Sequence, residues 1–416
     1  MGKLVKIKKT QLKGDITVSG AKNSSLKLLT ASILTEKDIE IENTPNNILD
    51  FQVHLEMLRV LGKKVEETKE GVFIKECDIN NILEWNERSI RNTLLILGAL
   101  LTRTGYGKVP LPGGCKLGER KYDLHINAME SMGATVWEEE NYLFAKVNNR
   151  LIGTEIFLPI RSTGATENAI LMGTLAKGKT TIWNPHIRPE IMDLISMLKS
   201  MGANITVNGQ ESIVVEGVDA LYGTKHQCIP DNMEALTFVI ATAVTNGEVT
   251  IHNFPLEHLE IPLIYLRESG LKYYIAQNKK SIIVKPSKIY PIEIATGPYP
   301  SLNSDMQPLF AVYGLLAQGK SKIIDLRFPG RYQYALELNK MGASTEVDGD
   351  VLVIHGGAKL TGTTVKALDL RAGAALMLAG MVAEEETIVT DFEQVERGYE
   401  NIIKKINSLG GNIIEI

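Results

Sequence analysis

The chain has 416 residues, more than one ordinary core holds, so two domains are expected. Apolar residues at 44% and charged residues at 23% describe a globular protein and exclude a disordered or fibrous one. Lys plus Arg at 45 against Asp plus Glu at 49 leaves a charge of −4, too weak a positive field for a nucleic-acid or membrane-surface partner. The first residues, Met1 to Lys6, are basic but lead into no apolar stretch, so no export is expected. Cys77, Cys115 and Cys228 form no CxxC pair, which argues against a disulfide framework and for a reducing, cytoplasmic compartment.

Along the chain one pattern recurs six times: a helical apolar stripe, then glycine, then a strand-like run. The glycines are Gly62, Gly133, Gly202, Gly270, Gly342 and Gly410, separated by 71, 69, 68, 72 and 68 residues. In the third unit Ile191, Leu194, Ile195, Leu198 and Met201 recur at helical spacing, and Gly202 takes the place past the helix end where a left-handed backbone suits glycine. Ile205 and Val207, the turn pair Asn208-Gly209 and Ile213 to Val215 then predict a hairpin, and Val347 to Val351 repeats the turn signal in the fifth unit. Each unit also carries an earlier helix almost free of charge, such as Ala235 to Val244 or Ala372 to Ala383. A helix apolar all round must be buried on all sides, and these runs fall short of the roughly 20 residues that cross a bilayer. Six α/β units divide into two lobes of three, apolar helices inside and sheets outside, and a cleft between like lobes is the default ligand site.

Polar groups stand just before several of these inner helices. Lys22-Asn23 follow Ser19-Gly20-Ala21 at a strand-to-helix junction, where free N–H groups and the helix dipole attract anions, although the same residues also read as a turn and cap. Asp369-Leu370-Arg371, Ser162-Thr163-Gly164 and Ser304-Asp305-Met306-Gln307 occupy equivalent places in later units. Cys115 lies in a loop with Gly113, Gly114 and Gly118, and its neighbours Lys116 and Arg120 favour a thiolate; Cys77 and Cys228 read as inert buried side chains. Arg331 and Arg397, taken alone, read as solvated surface arginines. No metal-ligand spacing, P-loop or GxGxxG after a strand is present, so a reaction without metal or nucleotide cofactor is expected.

With these motifs, Ser19-Gly-Ala-Lys-Asn23, Leu111-Pro-Gly-Gly-Cys115, Gly118-Glu-Arg120, Asp123-Leu-His125, Ser304-Asp-Met-Gln307, Asp369-Leu-Arg-Ala372 and Arg397-Gly-Tyr-Glu400, the chain resembles the UDP-N-acetylglucosamine enolpyruvyl transferases over essentially its whole length. The resemblance implies two inside-out α/β lobes of three repeats, one at 22–229 carrying the Cys115 loop and one of 1–21 plus 230–416, with the site in the cleft. It implies transfer of the enolpyruvyl group of phosphoenolpyruvate to a sugar 3′-hydroxyl, at the start of peptidoglycan precursor synthesis. In that reading Lys22, Arg120 and Arg397 bind the phosphate, Arg331 and Arg371 clamp the carboxylate, Asn23 lies beside them, Asp305 is the base and Cys115 the acid. The sugar nucleotide would contact Asn23, Arg91, Arg120, Lys121, Tyr122, Asp123, Leu124, Arg161, Ser162, Thr163, Gly164, Asp305 and Arg327.

The chain departs from that family's usual pattern on the acceptor side. Lys121-Tyr122 replaces Pro-Val, Ser301-Leu302-Asn303-Ser304 precedes Asp305, Phe328-Pro329-Gly330-Arg331 carries the clamp arginine, Arg327 replaces a small apolar residue, and Asn232 stands where arginine is common. A paralogue using another nucleotide or sugar hydroxyl, or a silent binder of sugar nucleotides, are the other readings. Retention of a base and five cations argues against the binder.

Overall fold

In a computed structural model, which describes residues 2–113 and 122–416, all six repeat glycines lie just past a helix end with left-handed backbone, at φ of 88, 94, 97, 91, 88 and 89°. Only glycine adopts that conformation without steric cost, which is why the helix ends are written so regularly in the sequence.

The third repeat shows the plan. Strand Glu155–Phe157 leads into inner helix Thr163–Thr174, then strand Lys179–Trp183, outer helix Pro189–Ser200 and the hairpin Asn204–Asn208 with Ser212–Glu216. Lys179–Trp183 runs parallel to the first strand and antiparallel to Ser212–Glu216. The fifth repeat is the same, from Glu293–Ala295 through Gln307–Leu316, Lys320–Ile324 and Gln333–Lys340 to Ser344–Asp348 and Val351–His355. In the second, a single parallel bridge from Ile82 to Lys108 stands for the first strand. In the sixth, the N-terminal strand Val5–Ile7 completes the sheet between Thr387–Thr390 and Ile413–Glu415.

The first and fourth repeats draw their edge strands from afar. Thr224–Gln227 pairs in parallel with Ile39–Glu42, and Lys13–Thr17 with Glu248–His252. The chain thus divides into two compact units, one of Met1–Ser19 with Pro230–Ile416 and one of Gly20–Ile229, each with its own apolar core. Every residue of inner helix Asn232–Val244 is buried, as are Ala165 to Thr174, Gln307 to Leu315 and Arg371 to Gly380 in theirs. Hydroxyls in these helices are satisfied locally: Thr237 and Thr242 each donate to the carbonyl four residues earlier at 2.7 Å. No helix among the described residues is long and apolar enough to cross a membrane.

Two histidines are sealed in the Gly20–Ile229 core. The Asn92 amide approaches His54 Nδ1 at 3.3 Å, and the Asn168 amide approaches His125 Nδ1 at 3.2 Å. Burial first, and nearby cations second, push both imidazoles down to about 3. Each binds a proton in the unfolded chain below about pH 6.5 but not in the folded one, so each costs about 1.4 kcal/mol of stability per pH unit on acidification. Buried Glu167, pushed up to about 7, works the other way between about pH 4.5 and 7. Among these three groups of the Gly20–Ile229 unit, one histidine's worth, about 2 kcal/mol, should therefore be lost between pH 6.5 and 5. His54→Asn should flatten this slope, measured by hydrogen exchange of the Thr93–Thr104 amides; an unchanged slope would mean that His54 titrates in the folded state.

Candidate active site

In the unit of Met1–Ser19 and Pro230–Ile416, Asp305 sits in the turn before inner helix Gln307–Leu316, its N–H bonded to Asn303 Oδ1 at 3.0 Å. Two arginines close on its carboxylate. Arg331 Nη1 donates to Oδ1 at 2.9 Å, and Arg371 Nε stands 3.6 Å from Oδ2, a charge contact beyond hydrogen-bond reach. Asp369 caps inner helix Leu370–Gly380, accepting from the N–H groups of Arg371 at 2.7 Å and Ala372 at 2.9 Å, and its other oxygen lies 3.5 Å from Arg331 Nη2. One carboxylate thus fixes the start of the helix that carries Arg371 and also contacts the Arg331 guanidinium.

Arg371 lies over the Tyr399 ring at 5.2 Å, and the Tyr399 hydroxyl meets Thr237 Oγ1 at 2.9 Å. Two residues before Tyr399, Arg397 Nη1 donates to Gln394 at 3.0 Å. Burial alone would depress the Arg331 and Arg371 pKa values, but Asp305 and Asp369 around Arg331, and Tyr399, Asp305 and Asp231 around Arg371, more than offset it. Both therefore stay charged. Arg331 Nε and Arg371 Nε and Nη1 are buried with no hydrogen-bond acceptor among the described residues. Buried donors of this kind on fixed guanidiniums suit a planar anion.

Arg331 and Arg397 are not the solvated arginines that their local sequence implied, for both are buried at 7% exposure. Gln307 helps to hold Arg331, since its amide donates to the Arg331 carbonyl at 2.8 Å while Tyr334 donates to the Gln307 oxygen. Sequence reasoning assigned no role to Gln307, Asp369 or Tyr399, although each lies inside a quoted motif. Arg327, by contrast, is exposed, its guanidinium 5.4 Å from the Phe328 ring centre.

In the unit of Gly20–Ile229, Lys22 opens inner helix Lys22–Ala31, a position where the helix dipole opposes a cation. Its Nζ is 2.6 Å from Asp50 Oδ2, both groups nearly buried, and Arg88 reaches the same carboxylate at 4.0 Å. Asp50 lies in the first turn of outer helix Leu49–Val60, and nothing local in the sequence marks it. Asn23 follows Lys22, half-buried.

Arg91 precedes Asn92, the cap of Thr93–Thr104, and its charge helps to lower the pKa of His125. Helix Asp123–Ser131 carries Asp123, Leu124 and His125, and a Cβ on Gly164 would meet the His125 ring at 3.0 Å. Ser162 caps Thr163–Thr174, Thr163 Oγ1 meets His186 Nδ1 at 2.9 Å, and Arg161 is oriented by Asn184 at 3.2 Å and Gln210 at 3.1 Å. Tyr122 donates to Glu138, and burial with that carboxylate pushes the phenol up to about 12. Cys115, Arg120 and Lys121 lie outside the described residues. Cys228 is buried as expected, whereas Cys77 is exposed, on the residue after strand Gly71–Glu76.

The chain is similar to known proteins along nearly its whole length. The family model for EPSP synthase (3-phosphoshikimate 1-carboxyvinyltransferase) matches residues 7–406. Proteins named UDP-N-acetylglucosamine 1-carboxyvinyltransferase are 40% identical over 405 residues in Actinobacillus succinogenes, covering 97% of this chain and 96% of that one, and 38% identical over 418 residues in Finegoldia magna, covering 99% of each. Among solved structures, the enolpyruvyl transferase NikO from Streptomyces tendae superposes with a TM-score of 0.89 at 24% identity, over 100% of this chain and 99% of that one. EPSP synthase from Acinetobacter baumannii superposes with a TM-score of 0.77 at 18% identity over all of both chains. The six-sheet, twice-threefold architecture is therefore the enolpyruvyl transferase fold, and the chain belongs to the EPSP synthase family.

Proposed function

We propose that this chain transfers the enolpyruvyl group of phosphoenolpyruvate to the 3′-hydroxyl of UDP-N-acetylglucosamine and releases phosphate, the first committed step of peptidoglycan precursor synthesis, in the cytoplasm. The observation that carries the reading is Asp305 held between Arg331 and Arg371, whose buried unpaired N–H groups can take a carboxylate. It is supported by relatives of that name at 38–40% identity over nearly the full length.

Arg331 and Arg371 clamp the phosphoenolpyruvate carboxylate in two-pronged fashion, and Lys22, Arg120 and Arg397 take its phosphate, with Asn23 beside Lys22. Cys115 gives a proton to the methylene carbon, which leaves C2 electrophilic. Asp305 takes the proton of the attacking hydroxyl as its oxygen bonds to C2, giving a tetrahedral ketal. The methyl group then loses a proton, the C2–O bond to phosphate breaks, and the enol ether double bond forms. Arg91, Tyr122 to Leu124 and Arg161 to Gly164 bind the nucleotide, with Lys121 and Arg327 as this chain's own additions. Arg371→Lys, which keeps charge but loses the fork, should raise KM for phosphoenolpyruvate roughly ten- to a hundredfold in steady-state assays. A rise confined to the acceptor's KM would move Arg371 off the carboxylate.

Phosphate release measured with UDP-N-acetylglucosamine, with UMP and with shikimate 3-phosphate tests the assignment. Release with the first alone is expected; release only with another acceptor would reassign the substrate, and release with none would make the chain a binder.

A further inference from the structure

Four repeats end their central strand on Asn or Asp in left-handed backbone: Asn43 and Asn184 at φ 55°, Asn253 at 53° and Asp391 at 55°. Three of these use the side-chain amide alike, donating to the carbonyl just past the parallel edge strand. Asn43 reaches Cys228 at 2.8 Å, Asn184 reaches Leu158 at 2.8 Å and Asn253 reaches Val18 at 3.0 Å. The device is a structural clip between neighbouring strand ends.

The fifth repeat breaks this rule. Immediately after Lys320–Ile324 stands Asp325, which is not left-handed and whose side chain accepts where the others donate. Oδ1 receives Thr296 Oγ1, the residue past edge strand Glu293–Ala295, at 2.8 Å and the N–H groups of Arg327 and Phe328 at 3.0 Å each. Oδ2 receives Ser304 Oγ–H at 2.5 Å, and the Ser304 Oγ in turn accepts from Arg331 Nη1 at 3.3 Å. Four donors converge on a group that is 1% exposed. An amide offers one accepting oxygen and would leave part of this set unmet, at the cost of a buried unpaired donor.

We infer that Asp325 is a positioning residue for the Asp305–Arg331 pair: through Ser304 it sets the turn that carries Asp305, and through two backbone N–H groups it folds the loop that carries Arg331. Both arms end on the same ion pair. The clip that joins strand ends elsewhere in the fold is here turned to aligning the base with a carboxylate-binding arginine. The inference rests on the roles assigned above to those two residues.

The test compares kcat and KM for native enzyme, Asp325→Asn, Ser304→Ala and the double variant, each expressed per folded molecule. Asp325→Asn should lower kcat/KM for phosphoenolpyruvate roughly ten- to a hundredfold, the order expected when a reacting group is displaced by about 1 Å. Ser304→Ala should lower it several-fold per folded molecule, and the double variant should lose no more than Asp325→Asn alone, because both cut one path. Should Asp325→Asn not fold, Ser304→Ala decides by itself. Native kcat/KM per folded molecule in either single variant, or losses that multiply in the double, would overturn the positioning role while leaving the reaction assignment intact. Absence of turnover in the native enzyme would overturn both.

Discussion

Asp305→Asn is expected to lower kcat by roughly 10²–10⁴-fold, the usual worth of a well-placed general base. The amide is nearly isosteric and still accepts from Arg331 Nη1, now 2.9 Å from Asp305 Oδ1, so the loop should keep its shape. What disappears is the capacity to take the proton of the sugar hydroxyl as its oxygen bonds to carbon. The same change removes one negative charge from between two buried guanidiniums, so KM for phosphoenolpyruvate should hold or fall. That opposite movement of kcat and KM separates loss of a base from loss of a ligand. Phosphate release under saturating substrates measures it, and a kcat within tenfold of native would place the base elsewhere.

Fosfomycin should end turnover by alkylating Cys115. Its thiolate opens the epoxide, so a C–S bond forms, a C–O bond breaks and the alkoxide takes a proton. Cys115→Asp should resist the drug and keep measurable turnover, since a carboxylic acid can still deliver a proton to the methylene carbon. The other two cysteines serve as controls of opposite kind. Cys228 is buried and should remain unmodified, whereas Cys77 is exposed and marks the level of nonspecific reaction. Peptide mapping after drug treatment reads all three, and inactivation without an adduct on Cys115 would remove it from the proposed mechanism.

The repeat count was legible because a helix end needs a left-handed residue and glycine supplies one cheaply, at φ near 90° in all six places. Inner helices were legible because a helix packed on all sides tolerates almost no charge. The hairpin after Gly202 followed from alternation around Asn208-Gly209, with Gly209 at φ 53°. Less of the site could be read this way. Lys22 stood out, but its partner Asp50 lies 28 residues on and looks like any first-turn acid of an amphipathic helix. Arg331 looked like a surface arginine because Phe328, Pro329, Gly330 and Tyr332 beside it offer no opposite charge, while its partners Asp305 and Asp369 come from other segments.

Periodicity and backbone preference are properties of a residue and its near neighbours, so the sequence by itself determined the six units, the buried and amphipathic helices and the hairpins. Partner choice is not local. Only the tertiary structure decided that Thr224–Gln227 completes the sheet of Ile39–Glu42, that two arginines meet at Asp305, and that Asp325 gathers four donors instead of clipping strands as Asn184 does. The physical reason is that a buried charge or carboxylate is stabilised by whichever opposite group the fold brings within about 3–4 Å, and that distance is set by packing across hundreds of residues of chain.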